Sequence, residues 1–338
     1  MEREYVGIDL HRRRSVIYRM DGDGRKLSCV RIDNDPVTFA GEVARAGPGA
    51  EVVIEATYGW YWAVDLLETL DVHVHLAHPA GNDWGKRRVK NDERDARDLA
   101  DLLRLGRLAE AWIAPTDVRE LRELVRYRHK LVELRTGLKA QVQAVLAKEG
   151  VTVKLSEWWG PTGAKELDRL DLAPVYTDKV ESLRDLVALY NREITMFERE
   201  IHRRVKDDPG FKAIQAIHGV GPTLAAIFVA EIGDVTRFPN PEALCSWAGM
   251  TPRHHESDTT VHRGAITKQG SRLLRWAAIE AVSRYHGGEH LAVTFGRIAE
   301  RRGRNKARTA VARKVLTLVF YGLRDGEIRC LQQPADAA

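Results

Sequence analysis

Tyr5-Val6-Gly7-Ile8-Asp9-Leu10 is a short apolar run with a carboxylate near its end, and its reading decides the N-terminal fold. Such a run suits a buried strand that delivers Asp9 to a strand end. Ser15–Met20 is a second apolar run, and Asp21-Gly22-Asp23-Gly24 supplies the turn chemistry of a hairpin before a third strand over Leu27–Ile32. Further on, Pro36–Ala46 is predicted helical, Glu51–Glu55 (EVVIE) is a buried-type strand and Trp60–Leu70 is helical again. Val72–Ala77 is another strand, stopped by His78-Pro79. Asn91–Leu105 is a helix with Ala96, Leu99, Leu102 and Leu103 as its apolar positions.

Three strands in hairpins followed by alternating helices and strands is the order of an α/β, RNase H-like fold, expected over residues 1–115. Residues 116–210 change character. Thr116-Asp117 starts a helix whose apolar positions run through Leu121, Leu124, Leu131, Leu134, Leu138, Val142 and Val145. After a break at Gly160, Pro161 and Gly163, a second helix carries the heptad seam Val180, Leu183, Val187, Tyr190, Ile194, Phe197, Ile201. That seam is expected to form a coiled-coil arm that pairs subunits; the alternative is packing within one chain. Residues 211–338 read as a mostly α-helical domain that ends in a basic tail, Gly287–Cys330.

The chain of 338 residues is 44% hydrophobic and 30% charged, an ordinary globular composition that excludes wholesale disorder. No stretch approaches the ~20 apolar residues of a membrane span. The opening MEREYVGIDLHRRR reads as neither a signal peptide nor an anchor. Cys29, Cys245 and Cys330 lie far apart and make no CxxC pair. The expectation is a reduced, cytoplasmic protein without a membrane partner. Residues 261–338 hold 15 Lys/Arg against 6 Asp/Glu, while the whole chain carries a net charge of only +5. This asymmetry suits either a region that meets a polyanion or a solvated basic face.

Asp9 and Glu55 each stand where an apolar run stops, and Asp92 and Asp95 in KNDERDARDLADLL share one helix face. Four carboxylates brought together repel unless divalent cations sit among them, and oxygen-only ligands suit Mg²⁺. Two such ions can serve an in-line phosphodiester reaction. Taken singly, Asp9 could be a turn residue, Glu55 a helix cap, and Asp92 and Asp95 surface charges. As a set at these positions, they favour a metal site.

Ile217-His218-Gly219-Val220-Gly221-Pro222 precedes a helix over Thr223–Ile232, and a Gly219-x-Gly221 turn there exposes backbone N–H groups to a phosphate in the manner of a helix-hairpin-helix clamp. A tight turn is the plainer reading. A polar run follows, Thr251-Pro252-Arg253-His254-His255-Glu256-Ser257-Asp258, then Arg263–Gly270 with Lys268, then Ser271-Arg272. A hydroxyl in a basic loop of this kind suits attack on phosphate. Basic residues of 86–90 (Lys86, Arg87, Arg88, Lys90) and of 297–314, with Arg301 and Arg304 among them, are the other candidate nucleic-acid contacts.

On these motifs the chain resembles the DEDD transposases of the insertion sequence one-ten family, RNA-guided recombinases related to Piv-type DNA invertases. YVGID, VVIEATYGWY and KNDERDARDLADLLR match its RuvC-like domain, and IHGVGPTLAAIFVAEIGDVTRFPNPEALCSWAGMTPRHHES and RGAITKQGSRLLR match its transposase domain, so the resemblance covers nearly the whole chain. It implies that Asp9, Glu55, Asp92 and Asp95 hold Mg²⁺ and that the serine of Glu256-Ser257 is the nucleophile, with Ser246 structural. It further implies donor and target DNA as substrates, a structured guide (bridge) RNA as partner, a homodimer or tetramer, and a covalent phosphoserine intermediate. One departure is Asp258, where the family usually has glycine; a side chain there restricts the backbone and adds a carboxylate beside the phosphate. The rival of another class is a hydrolytic RNase H-like nuclease or Holliday-junction resolvase, which uses the carboxylates alone. A third is a catalytically dead nucleic-acid scaffold.

Overall fold

Five runs rich in Val, Ile and Tyr form one sheet in the first part of the chain. The computed structural model describes residues 3–79, 81, 91–153, 155, 158–257, 260–283 and 290–331. The chain divides into two units, Met1–Ala114 and Pro115–Ala338.

In the first unit the elements run β1 (Tyr5–Leu10), β2 (Arg14–Met20), β3 (Lys26–Asp33), α1 (Pro36–Ala44), β4 (Ala50–Glu55), α2 (Trp60–Leu67), β5 (Val72–Ala77) and α3 (Asp92–Arg104). The sheet order is β3-β2-β1-β4-β5. β1, β2 and β3 are antiparallel neighbours, whereas β4 runs parallel to β1, with Ile8 opposite Ile54, and β5 parallel to β4. This is a mixed α/β sheet. Alternation along the strands gives it two apolar faces. On one, Val6, Ile8, Ile17, Val52, Ile54 and Leu76 meet Phe39 and Val43 of α1 and Ala63, Val64 and Leu67 of α2. On the other, Val16, Tyr18 and Met20 pack on Ala96 and Ala100 of α3, and Val53 and Ala77 pack on Leu99. Each fully buried Ile, Leu or Phe contributes roughly 1.5–3 kcal/mol.

The second unit holds α4 (Thr116–Lys148), α5 (Pro161–Arg169), α6 (Pro174–Val205), α7 (Pro209–Ile214), α8 (Pro222–Ile232), α9 (Pro241–Trp247), β6 (Pro252–Ser257), β7 (Thr260–Ile266), α10 (Arg272–Ser283), α11 (His290–Arg302) and α12 (Arg304–Asp325). It is mostly helical. Helix α8 is apolar almost all round and is buried at Leu224, Ala225, Ile227, Phe228 and Ile232, as such a helix must be.

Three expectations are corrected here. The heptad seam of α6 does not wait for another subunit, because α4 of the same chain covers it. Val180 and Leu183 are buried in one cluster with Val142, Val145 and Leu146, Ile201 lies in another with Leu121 and Val125, and Phe197 meets Tyr127 edge-on at 4.9 Å. Arg135 donating to Asn191 at 2.7 Å and Arg204 paired with Glu120 at 2.8 Å fasten the same two helices. The basic tail is in part core: α12 buries Val311, Val315, Leu316, Val319 and Phe320, while Arg304, Lys306, Arg308 and Lys314 are exposed. The polar run around Ser257 is a strand pair and not a loop, since the β-branched Thr260 and Val261 extend the returning backbone.

Among the described residues no helix is long and apolar enough to cross a membrane. If the seam is intramolecular, Leu183→Ala should lower unfolding stability by about 2–4 kcal/mol. The particle mass in light scattering should stay unchanged; a halved mass with intact stability would restore the intersubunit seam.

Candidate functional site

Asp9 sits near the end of β1, and strand pairing aligns its surroundings. Asp9 lies opposite Val16, and Val16 lies opposite Arg31, so all three side chains share one row. Gly7, two residues back on the same face, marks where α3 crosses β1. A Cβ built at Gly7 would lie 1.9 Å from the Ala96 carbonyl oxygen and 2.8 Å from the Ala100 nitrogen, so only glycine permits the approach. The crossing sets the first turn of α3, with Asp92 and Asp95, beside the end of β1. Asn91 caps that helix by accepting from the Glu93 N–H at 3.0 Å, and the positive end of the helix favours the acids of its first turn.

Side chains of Asp9 and Asp92 come together with His11 between them. Candidate ligand atoms of these three residues all lie within 4.8 Å of one another. His11 Nε2 is 3.1 Å from Asp9 Oδ2 and 3.6 Å from Asp92 Oδ1. Asp95, one turn further along α3, is 7% exposed, and its Oδ2 has no hydrogen-bond partner among the described residues. Glu55 stands one residue beyond Ile54, level with Asp9 on the adjacent parallel strand and on the α3 face that Val53 occupies. An oxygen-rich donor set with a buried, unsatisfied carboxylate oxygen fits a hard divalent cation such as Mg²⁺. His11 adds a nitrogen that sequence reasoning had not included.

Basic side chains close the other side. Arg31 Nη2 lies 3.4 Å and Arg14 Nη2 3.7 Å from Asp92 Oδ2. Neighbouring Glu93 is taken up separately by Lys26 at 2.6 Å, and that hydrogen bond holds the Glu93 carboxyl below the usual range and raises the Lys26 ammonium. The signal for His11 and Arg14 was in view, since His11-Arg12-Arg13-Arg14 follows Asp9 almost at once. Arg31 needed the strand register.

The remaining candidates lie in the second unit. Ser257 closes β6, its backbone opposite Thr260. Asp258 lies outside the described residues, as do Lys86, Arg87, Arg88 and Lys90. On the same strand His254 Nε2 is 3.2 Å from Glu256 Oε2, and Arg253 is exposed. Ser246 is exposed on α9. The turn before α8 requires its first glycine: Gly219 has φ +80°, and a Cβ there would lie 2.2 Å from the Ala281 carbonyl oxygen. Gly221 is the N-cap of α8 without a side-chain cap bond, which leaves the first backbone donors open. Lys268 takes a left-handed φ of 60° and donates its N–H to the Gly249 carbonyl at 3.0 Å. Arg272 is exposed at the start of α10, and Arg301 and Arg304 flank the α11–α12 junction, both exposed.

These two regions coincide with two family matches. Residues 6–149 match the DEDD transposase model of the IS110 type, and residues 212–286 match the transposase IS116/IS110/IS902 family. The uncharacterized 44.8 kDa protein of insertion element IS116 from Streptomyces clavuligerus is 26% identical over 338 residues, covering 81% of this chain and 82% of that protein. A candidate transposase of Sinorhizobium fredii, y4qE, is 29% identical over 198 residues, 59% of this chain and 48% of that one. The pilin gene-inverting protein of Moraxella lacunata is 26% identical over 168 residues, 47% of this chain and 52% of that protein. The matched stretches thus span about half the length of y4qE and of the pilin inverter. The two family matches lie in chain order and leave residues 150–211 and 287–338 outside them.

The Gly7 crossing yields a test of how the site is built. Gly7→Ala should push α3 off β1, cost about 1–3 kcal/mol, and weaken Mg²⁺ uptake measured by calorimetry. Wild-type uptake in that variant would show that α3 is not what positions the carboxylates.

Proposed function

We propose that the protein is an RNA-guided DNA recombinase, the transposase of an insertion sequence, working through a phosphoserine intermediate. The observation that carries this reading is the meeting of Asp9 and Asp92, with Asp95 one turn on and Glu55 on the next strand, inside the region that matches DEDD transposases. The sheet order β3-β2-β1-β4-β5 supports an RNase H-like, RuvC-like reading of residues 1–115. A helical arm over 116–210 and a transposase domain over 211–338 complete the proposed division.

Asp9, Glu55, Asp92 and Asp95 would hold Mg²⁺, which supplies stabilisation of charge on the phosphate. Ser257 Oγ attacks a DNA phosphorus: the Oγ–P bond forms, a P–O bond to one deoxyribose breaks, and the freed sugar oxygen takes up a proton. His254 and Glu256 lie on the strand that ends in Ser257, and with His255 they are the groups at hand to accept the hydroxyl proton. Attack by another strand's sugar hydroxyl on the phosphoserine then rejoins DNA and restores Ser257. Arg253, Lys268, Arg272, Arg301 and Arg304, with the Gly219-x-Gly221 turn, would hold nucleic-acid backbone. A structured guide RNA would choose the DNA by base pairing, in a homodimer or tetramer acting in the cytoplasm. The IS116 and pilin-inverter relatives support the choice of DNA as substrate.

The deciding experiment is a denaturing gel of protein with labelled DNA, guide RNA and Mg²⁺. Wild type should give a covalent protein–DNA band. Ser257→Ala should lose it, Ser246→Ala should keep it, and Asp9→Asn should lose it although the serine remains. Cleavage undiminished in Ser257→Ala, with no adduct in wild type, would make the protein a hydrolytic nuclease or junction resolvase instead.

A further inference from the structure

The carboxylate cluster is edged by two guanidiniums that the reaction above leaves without a role. Arg14 and Arg31 both approach Asp92 Oδ2, at 3.7 and 3.4 Å. Strand register explains why. Arg31 shares a row with Val16 and Asp9, and Arg14, two residues before Val16, stands on the same face of the adjacent strand. Two full positive charges converge on one carboxylate at the edge of the cluster. Their side chains are 53% and 57% exposed, so each pairing is weak and readily exchanged. A guanidinium fork matches phosphate oxygens as well as carboxylate oxygens.

We infer that Arg14 and Arg31 form a DNA-phosphate site at the rim of the carboxylate cluster. Without a divalent cation they rest against Asp92. When Asp92 turns to a cation, both forks are released toward a backbone phosphate beside the scissile one. Metal uptake and DNA binding then support each other through Asp92. The metal half of this inference rests on the carboxylate reading under Proposed function; the phosphate half rests on the placement of the two arginines.

One variant tests both halves, with opposite signs. In the full chain carrying Arg14→Gln and Arg31→Gln, the affinity for a short DNA duplex of arbitrary sequence is measured in Mg²⁺ against salt. The slope of log affinity against log salt should shrink by about 1.8, two phosphates at roughly 0.9 each on a duplex. Mg²⁺ uptake by calorimetry should tighten about fivefold, because two like charges have left the site. The paired Arg14→Lys and Arg31→Lys variant should recover the wild-type slope, which controls for folding. A Gln variant with the wild-type salt slope overturns the inference, and so does one that binds Mg²⁺ more weakly. A wild-type chain that takes up no Mg²⁺ would sink the carboxylate reading itself, and the salt slope would still decide whether Arg14 and Arg31 hold phosphate.

Discussion

Everything in the first unit depends on how closely α3 can lie against β1. The contact has no room for a Cβ at Gly7, and the facing residues of α3, Ala96 and Ala100, are fully buried alanines. Small residues on both sides let two backbones touch, so the helix sits low on the sheet. Its first turn is then level with the strand end that carries Asp9. With bulkier residues the helix would ride higher, and Asp92 and Asp95 would be carried away from Asp9. The geometry of the carboxylate cluster is therefore a consequence of core packing. The price is electrostatic: acids crowd one spot, and His11, Arg14 and Arg31 offset part of that repulsion.

In the second unit an ion pair plays the corresponding role. Glu231 is 2% exposed near the end of α8, and Arg126 of α4 grips both its carboxylate oxygens at 2.7 and 3.0 Å. Arg122, one turn earlier, donates to the carbonyls of Ala230 and Glu231 at 2.8 and 3.0 Å. An apolar helix such as α8 could slide along its neighbours with little change in buried area. A buried carboxylate tolerates no such slip, because losing its partner leaves a charge in the core. The pair thus fixes the register of α4 on α8, and α8 begins at the Gly219-x-Gly221 turn.

Much of this was legible in the residues. β1 and β5 have the bounds that the apolar runs predict, and the other first-unit elements differ by at most a few residues, because short runs with turn signals leave little freedom. That Asp9 stands near a strand end and that Asp92 and Asp95 share the first turn of a helix was readable from where the apolar runs stop and from the spacing of the two acids. Three features were not. A heptad seam states that a helix will be covered but not by which chain, and here α4 covers it. The positive balance of the C-terminal residues masked the apolar stripe of α12, because a charge census ignores which face a residue occupies. The β6–β7 pair was hidden by its polar content, since a run such as Pro252–Ser257 carries no hydrophobic alternation.

That hairpin also sets the two halves of the proposed chemistry apart in mechanical terms. Asp9 and Glu55 ride on a five-stranded sheet packed on both faces, and Asp92 and Asp95 on the helix that packs against it. Ser257 stands at the far end of a sheet of two strands, and two strands alone are marginally stable. The base of the hairpin is tied down. The Thr267 N–H donates to the Thr251 carbonyl at 2.9 Å, and Arg275 donates to the carbonyls of Ala248 and Gly270, each at 3.1 Å. In the reaction proposed above, a hairpin base fastened in this way would fix where the strand that carries Ser257 leaves the helices.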